Sequence, residues 1–369
     1  MKTVAVCSVS QQTVPVILFC KEMMALRDIQ HIYLLVSNDM QPQVTRILQA
    51  SEEIARIHTI ITLDNPYQIQ PIISTLDKVF NASQFNDVTF LVDLTCGTKI
   101  MSIAQYKFFT DLSSELYYQS RGNAYRKLHP ANQRKEQHFS YHIPLEKYIN
   151  AYGGTLKCEQ ATRSREVLDA MYRWYVTDDN GSILSRLHSC AEKEFEKCSN
   201  NRKIPFFDPF SVPGLCDFCT LAGITTNQLT FDDTRYLCGG WFEEYLYVHA
   251  AKSGRECALS SKVSREGTTH NEFDVMMVEN NCLYIIEAKT NFGGTTSLHN
   301  DALYKIKALE HFFGIRAHSI IATLDTDRIY RKAYKDRLKV MNAALLTREQ
   351  LHPDVIDATL HDLNTLRSN

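Results

Sequence analysis

Two adjacent asparagines, Asn280-Asn281, lie between apolar-rich runs and sharply limit how this chain can fold. Phe273 to Val278 and Leu283 to Ala288 have the composition of strands. Asn tolerates positive φ where most residues do not, so a two-residue loop here predicts a primed hairpin turn. Such a turn fixes the register. It sets Glu279 against Cys282, Met276 against Ile285 and Asp274 against Glu287, with Glu272 opposite Lys289. Opposed residues and i, i+2 neighbours share a face of a sheet, so Asp274, Glu287 and Lys289 are expected to converge. Facing carboxylates repel unless a positive charge lies between them. A hard divalent cation such as Mg²⁺ or Mn²⁺ prefers oxygen ligands and suits the position. Lys289 would add a point charge for a developing anion. The bland alternative is a hairpin edge with a solvated polar face.

The remaining composition narrows the setting. A chain of 369 residues can form two or three domains. With 44% hydrophobic and 22% charged residues it has a globular composition. A net charge of -2 gives no global basic field, so any nucleic-acid site must be local. The 11 cysteines have no framework spacing, which suits a reducing cytoplasm. Cys216-x-x-Cys219 lacks the second pair that a zinc site needs. No run is long enough to span a membrane, and the N-terminal apolar run is too short for a signal peptide.

In the first 150 residues strands alternate with helices: Val4–Val9, Ile32–Val36, His58–Thr62, Val88–Asp93 and Leu116–Gln119 are the expected strands. This pattern implies an α/β, Rossmann-like layer with a mostly parallel sheet. Ligands of such sheets sit beyond the carboxyl ends of the strands, at helix N-termini that favour anions. The residues expected there are Ser8, Ser10, Gln11, Gln12, Thr13, Ser37, Asn38, Thr95, Cys96, Gly97, Thr98 and Lys99. Their polarity suits a phosphate-bearing ligand. The absence of G-x-G-x-x-G after the first strand argues against a dinucleotide.

Asp93-Leu-Thr-Cys-Gly-Thr-Lys-Ile-Met resembles the signature of CARF domains, sensors of cyclic oligoadenylates in type III CRISPR systems. Cys96 stands where that family usually has glycine. The resemblance implies a homodimer with the cyclic ligand, usually cyclic tetra-adenylate, on its two-fold axis. Further along, Gly239-Gly-Trp-Phe-Glu243 resembles the start of a helix in the PD-(D/E)xK nucleases linked to these sensors. The order helix, strand with Asp274, and strand with Glu287-x-Lys289 follows their restriction-endonuclease-like core. By this resemblance Asp274 and Glu287 are metal ligands, Glu243 rather than Glu244 completes the shell, and Lys289 positions water. The expected division is a CARF sensor at 1–152, a helical connector at 153–230 and a nuclease at 231–369, with Tyr152-Gly153-Gly154 as hinge.

The expected activity is therefore metal-dependent cleavage of RNA or DNA, single-stranded or plasmid, switched on by the cyclic ligand, in a cytoplasmic protein. Tyr304, Lys305, Lys307 and the basic run Tyr330 to Lys339 are either phosphate contacts or solvated faces. Three other readings compete. Arg265 and His270 match the R-x(4–6)-H of HEPN ribonucleases, although they fall in a turn. A regulator that binds nucleic acid without cutting would need a helix-turn-helix. A ring nuclease would degrade its own cyclic signal in the first domain.

Overall fold

The computed structural model describes the chain apart from residues 1, 82–84, 121, 131–134, 179, 200–206, 253, 266–270, 291–295, 331 and 364–369. Two sheets organise it. The first takes β1 (Lys2–Ser8), β2 (Ile29–Ser37), β3 (His58–Leu63), β4 (Val88–Asp93), β5 (Ser114–Gln119), β6 (Ala124–His129) and β7 (Gln137–His138) in the order β3-β2-β1-β4-β5-β6-β7. The first five strands are parallel, and β6 and β7 turn back antiparallel. Helices Val14–Leu26, Gln41–Ala50, Ile69–Phe80 and Lys99–Phe109 make the crossovers. The chain runs outward from β1 to β3, then returns to lay β4 on the other side of β1. That reversal makes a topological switch point between β1 and β4, where doubly wound sheets open a ligand crevice.

The second sheet takes β8 (Gly154–Glu159), β9 (Glu256–Arg265), β10 (Asn271–Glu279), β11 (Cys282–Lys289), β12 (Ala317–Thr323) and β13 (Ala343–Leu346) in the order β13-β12-β11-β10-β9-β8. Neighbours from β8 to β11 are antiparallel, and β11 to β13 are parallel. Asn280 and Asn281 have φ of 51° and 57°, the two positive values a type I′ turn needs. Glu279 pairs with Cys282, Met276 with Ile285 and Val275 with Ile286, the register the turn dictates. Glu272 departs from expectation: it pairs with Lys262 of β9 and forms an ion pair with it at 3.2 Å. β9 fills the other side of β10, a neighbour that the hairpin alone does not reveal.

Within the span expected as a helical connector, Gly154–Glu159 is the edge strand of the second sheet. It is short and mostly exposed, so no apolar run marks it. Helices Arg165–Val176 and Leu215–Leu221 bury Leu168, Tyr172 and Phe218 in one apolar cluster with Trp241, Tyr245 and Ile286. The glycines at 239–240 do not open a helix: a π-turn at Tyr236–Gly240 runs straight into Trp241–Ala251. The two units also share a core. Ile17, Leu34 and Tyr148 of the first lie in one cluster with Phe273, Met276, Ile285 and Phe313 of the second.

A charged clamp closes the back of the second unit. Buried His249 places Nδ1 2.7 Å from Asp357 and Nε2 2.9 Å from Asp169. Lys252 and Arg165 also bind Asp357, at 2.6 and 2.9 Å. Burial opposes the charge on Asp357, but Lys252, His249 and Arg165 together hold its pKa well below the usual carboxylate value. A depressed folded pKa gives stability that is present above the unfolded value, about 3.9, and lost as pH falls through the folded one. Asp357→Asn is therefore expected to lower Tm by a few degrees at pH 7 and to flatten the fall of Tm below about pH 4. A wild-type slope in the variant would count against the clamp.

Candidate nuclease and ligand sites

The hairpin ladder ends at Val275–Ile286, and side chains take over from there. Asp274 Oδ2 accepts the Ala288 N–H at 2.7 Å, which ties the carboxylate across to β11. Glu287 is 4% exposed and carries two ammonium groups. Lys289 Nζ lies 2.9 Å from Oε1, and Lys305 Nζ lies 3.0 Å from Oε1 and 3.2 Å from Oε2. Glu243 turns from the helix Trp241–Ala251 toward this group and accepts from Ser260 Oγ at 3.0 Å. Ser260 has φ of 42°, an irregularity in β9.

Glu244 points elsewhere. Its carboxylate accepts the backbone N–H of Thr162 and of Arg163 and the Tyr236 hydroxyl, anchoring the start of the helical layer. The two neighbours thus have different tasks, as their 100° separation on a helix requires.

The charges of the group act on one another. Burial, then the charges of Glu287 and Glu243, push the Asp274 pKa up to about 7 against the pull of Lys289 and the Ala288 N–H. Burial likewise raises Glu243, while Ser260, Lys289 and Arg235 oppose the rise. For Lys289 burial disfavours the charge, yet Glu287 and Asp274 hold its pKa above the ordinary value. Three desolvated carboxylates around one lysine are an acidic cluster in need of cations.

Among the described residues no three of His, Cys, Asp and Glu are grouped so that they could hold a metal ion as they stand. Glu287 is instead engaged by lysines and Glu243 by Ser260. The donor chemistry itself fits a divalent cation, since all three groups offer hard oxygens and the charges of Glu287 and Glu243 raise the Asp274 pKa.

Ser260 and the Lys305–Glu287 pair carry no local signature. Ser260 sits in an ordinary strand sequence, and Lys305 is brought in from the helix Thr296–Glu310. Lys307 bonds Glu310 at 2.5 Å, and Tyr304 is exposed. In the basic run, Tyr330 and Tyr334 are buried and Lys335 pairs with Asp327. His270 lies outside the described residues.

Most of the other candidate residues lie at the switch point, whereas Ser37 and Asn38 lie at the end of β2. Ser10 to Thr13 follow β1, and Thr95 to Lys99 follow β4. The Cys96 thiol reaches the Gln12 carbonyl at 3.4 Å. Thr98 caps the next helix, accepting the Met101 N–H at 3.1 Å and donating to Pro66 O at 2.8 Å. Several of the side chains face the protein. Ser8 is buried against Gln105, Thr13 donates to Ala151 O, and the Cys96 thiol is pushed up to about 12 by burial and by Asp93. Ser37 donates to Asp39, whereas Gln11, Asn38 and Lys99 remain exposed. Gly97 has φ of 86°, and a Cβ there would meet Ser8 Cβ at 2.9 Å. Only glycine fits this bend without strain.

The model of the Card1 CARF domain matches residues 4–148, and that of the Card1-like endonuclease domain matches residues 231–355. No curated protein sequence matches the chain. Protein VC1899 from Vibrio cholerae, a solved structure, superposes with a TM-score of 0.78 at 16% identity, covering 100% of this chain and 99% of its own. Can2 from Sulfobacillus thermosulfidooxidans, solved in complex with cyclic tetra-adenylate, gives 0.71 at 20% identity over 97% of both chains. A type III CRISPR defence DNA nuclease activated by cyclic oligoadenylate gives 0.56 at 16% identity over 88% of this chain and 46% of its own. At these identities the likeness is one of fold. Among the described residues no helix is long and apolar enough to cross a membrane.

Proposed function

We propose that this chain, which joins a Card1 CARF domain to a Card1-like endonuclease domain, is a homodimeric nuclease of type III CRISPR defence that cleaves RNA or DNA with Mn²⁺ or Mg²⁺ when a cyclic oligoadenylate binds. The observation that carries the reading is the convergence of Glu243, Asp274, Glu287 and Lys289 from one helix and two strands. Glu243, Asp274 and Glu287 would hold the cation. Bound there, it would activate water and offset charge on the phosphodiester transition state. Lys289, kept charged by the carboxylates, stands ready to pair with the phosphate oxygens. Ser260 fixes the Glu243 rotamer, and the Ala288 N–H fixes Asp274.

The activator is assigned to the switch point, with cyclic tetra-adenylate the favoured ring. Gln11, Asn38 and Lys99 offer exposed polar groups at the strand ends, with Ser10 half-buried, and the N-terminus of the helix Lys99–Phe109 favours phosphate. On this reading residues 1–152 are the sensor and residues 231–369 the nuclease. Residues 153–230 join the two and complete the second sheet. The deciding assay incubates the protein with labelled RNA, single-stranded DNA and supercoiled plasmid, with and without Mn²⁺ and cyclic tetra-adenylate. Cleavage is expected only when both are present. Chelator-resistant cleavage would overturn the metal mechanism. Gly97→Val is expected to weaken binding of the ring about tenfold in calorimetry, because the bend cannot be kept. Unchanged affinity would remove this loop from the ligand site.

A further inference from the structure

Glu287 carries two ion pairs, and Lys305 is the more exposed of its two lysines, at 51% against 37% for Lys289. The Glu287 side chain is 6% exposed, so a half-solvated lysine reaches in to cover a buried carboxylate. Both Glu287 oxygens are engaged by this one ammonium group. Lys289 approaches the same carboxylate from the strand, but its charge is also held by Asp274 and Glu243. Lys305 has Glu287 as its carboxylate partner and a long stem on the helix Thr296–Glu310.

A divalent cation on Glu287 would place two further positive charges beside both lysines. Like charges a few ångströms apart repel strongly where water is scarce. Lys289 is retained by its other two carboxylates. Lys305 is the group free to move outward, because its stem already lies half in solvent.

We propose that Lys305 is a displaceable cation: it neutralises Glu287 in the metal-free centre and, once a divalent ion takes that carboxylate, turns to a phosphate of the nucleic-acid strand. The inference rests on the metal-nuclease reading. It makes Lys305 a substrate-positioning residue that competes with the ion for one ligand. Removing it therefore acts in opposite directions on two equilibria. The metal loses a competitor, and the nucleic acid loses a contact.

The test uses the full-length protein with cyclic tetra-adenylate. Mn²⁺ affinity is read by calorimetry without nucleic acid, and single-strand affinity is read with Ca²⁺ in place of Mn²⁺. Lys305→Ala is expected to bind Mn²⁺ about tenfold tighter, as expected for removing one nearby like charge. It is expected to bind nucleic acid several-fold more weakly, with a salt dependence reduced by about one phosphate contact. Lys305→Arg, which keeps the charge, is expected to stay near wild type on both counts. Mn²⁺ affinity that is unchanged or weaker in Lys305→Ala would overturn the competition. Unchanged strand affinity would overturn the positioning role. Wild-type Mn²⁺ binding that persists in Glu287→Gln would overturn the metal reading itself, a failure distinguishable from the other two.

Discussion

Glu287→Gln is expected to lower ligand-stimulated cleavage by roughly 10³-fold while leaving the fold intact, which corresponds to about 4 kcal/mol of lost transition-state stabilisation. The amide has nearly the shape of the carboxylate, so the β11 packing between Ile286 and Ala288 is preserved. What disappears is the charge that two lysines and, on the proposed mechanism, a metal ion share. Single-turnover cleavage of labelled strands at saturating Mn²⁺ measures the effect, with Tm as the check on folding. A loss of less than tenfold would place the chemistry elsewhere in the molecule.

The second large effect is expected at the junction of the two units. Arg316 is 4% exposed and sits just before β12. Its guanidinium donates to Gly122 O, to Gln119 Oε1 at 3.3 Å and to Ser120 O at 3.4 Å, all in the first unit. Gln119 in turn donates to Asp93 at 2.8 Å, and its backbone N–H reaches Thr95 Oγ1 at 2.8 Å, in the loop after β4. On the other side, Arg316 O accepts the Leu283 N–H at 2.9 Å, at the start of the strand that carries Glu287.

A parallel contact runs through Gln12, whose Oε1 accepts the Ile315 N–H at 2.9 Å. Gly314 permits it: φ is 77°, and a Cβ there would lie 2.4 Å from Gln12 Oε1. The loops after β1, β4 and β5 are therefore joined to the segment before β12 by a few hydrogen bonds, buried between Arg316 and Gln119 and exposed at Ile315. A ligand can shift the output only through such differential contacts.

Arg316→Met keeps much of the bulk and removes the donors. It leaves Gln119 and two carbonyls without their partner, at a cost of about 2–5 kcal/mol. The stimulation of cleavage by cyclic tetra-adenylate is expected to fall toward unity while the ring still binds. Paired measurements of ring affinity and of the stimulation ratio check this. A wild-type ratio in the destabilised variant would show that coupling runs by another route.

Much of the site was legible because its determinants are local. Positive φ at Asn280 and Asn281 forces one register, and that register brings Asp274 and Glu287 onto adjacent strands. Helical geometry separates Glu243 from Glu244 by its own repeat. Helical geometry alone does not say which of the two faces the sheet, because their partners, Ser260 on one side and Thr162, Arg163 and Tyr236 on the other, come from other elements. The choice of Glu243 comes from the resemblance carried by Gly239-Gly-Trp-Phe-Glu243. Glu272 illustrates the same limit. The hairpin gives it Lys289, but β9 takes the other side of β10 and supplies Lys262 instead.

The alternating α/β layer, the hairpin with its register and the facing carboxylates of the candidate centre were legible in the sequence. Periodicity and turn sterics act over a few residues and do not depend on what packs outside them. Tertiary structure alone decided that Gly154–Glu159 would edge the second sheet, that Lys305 would cover Glu287, and that Arg316 would bridge the two units. Each of these contacts joins elements far apart in the chain. They form only once the shared core around Ile17, Tyr148, Met276 and Phe313 has set the two sheets against each other.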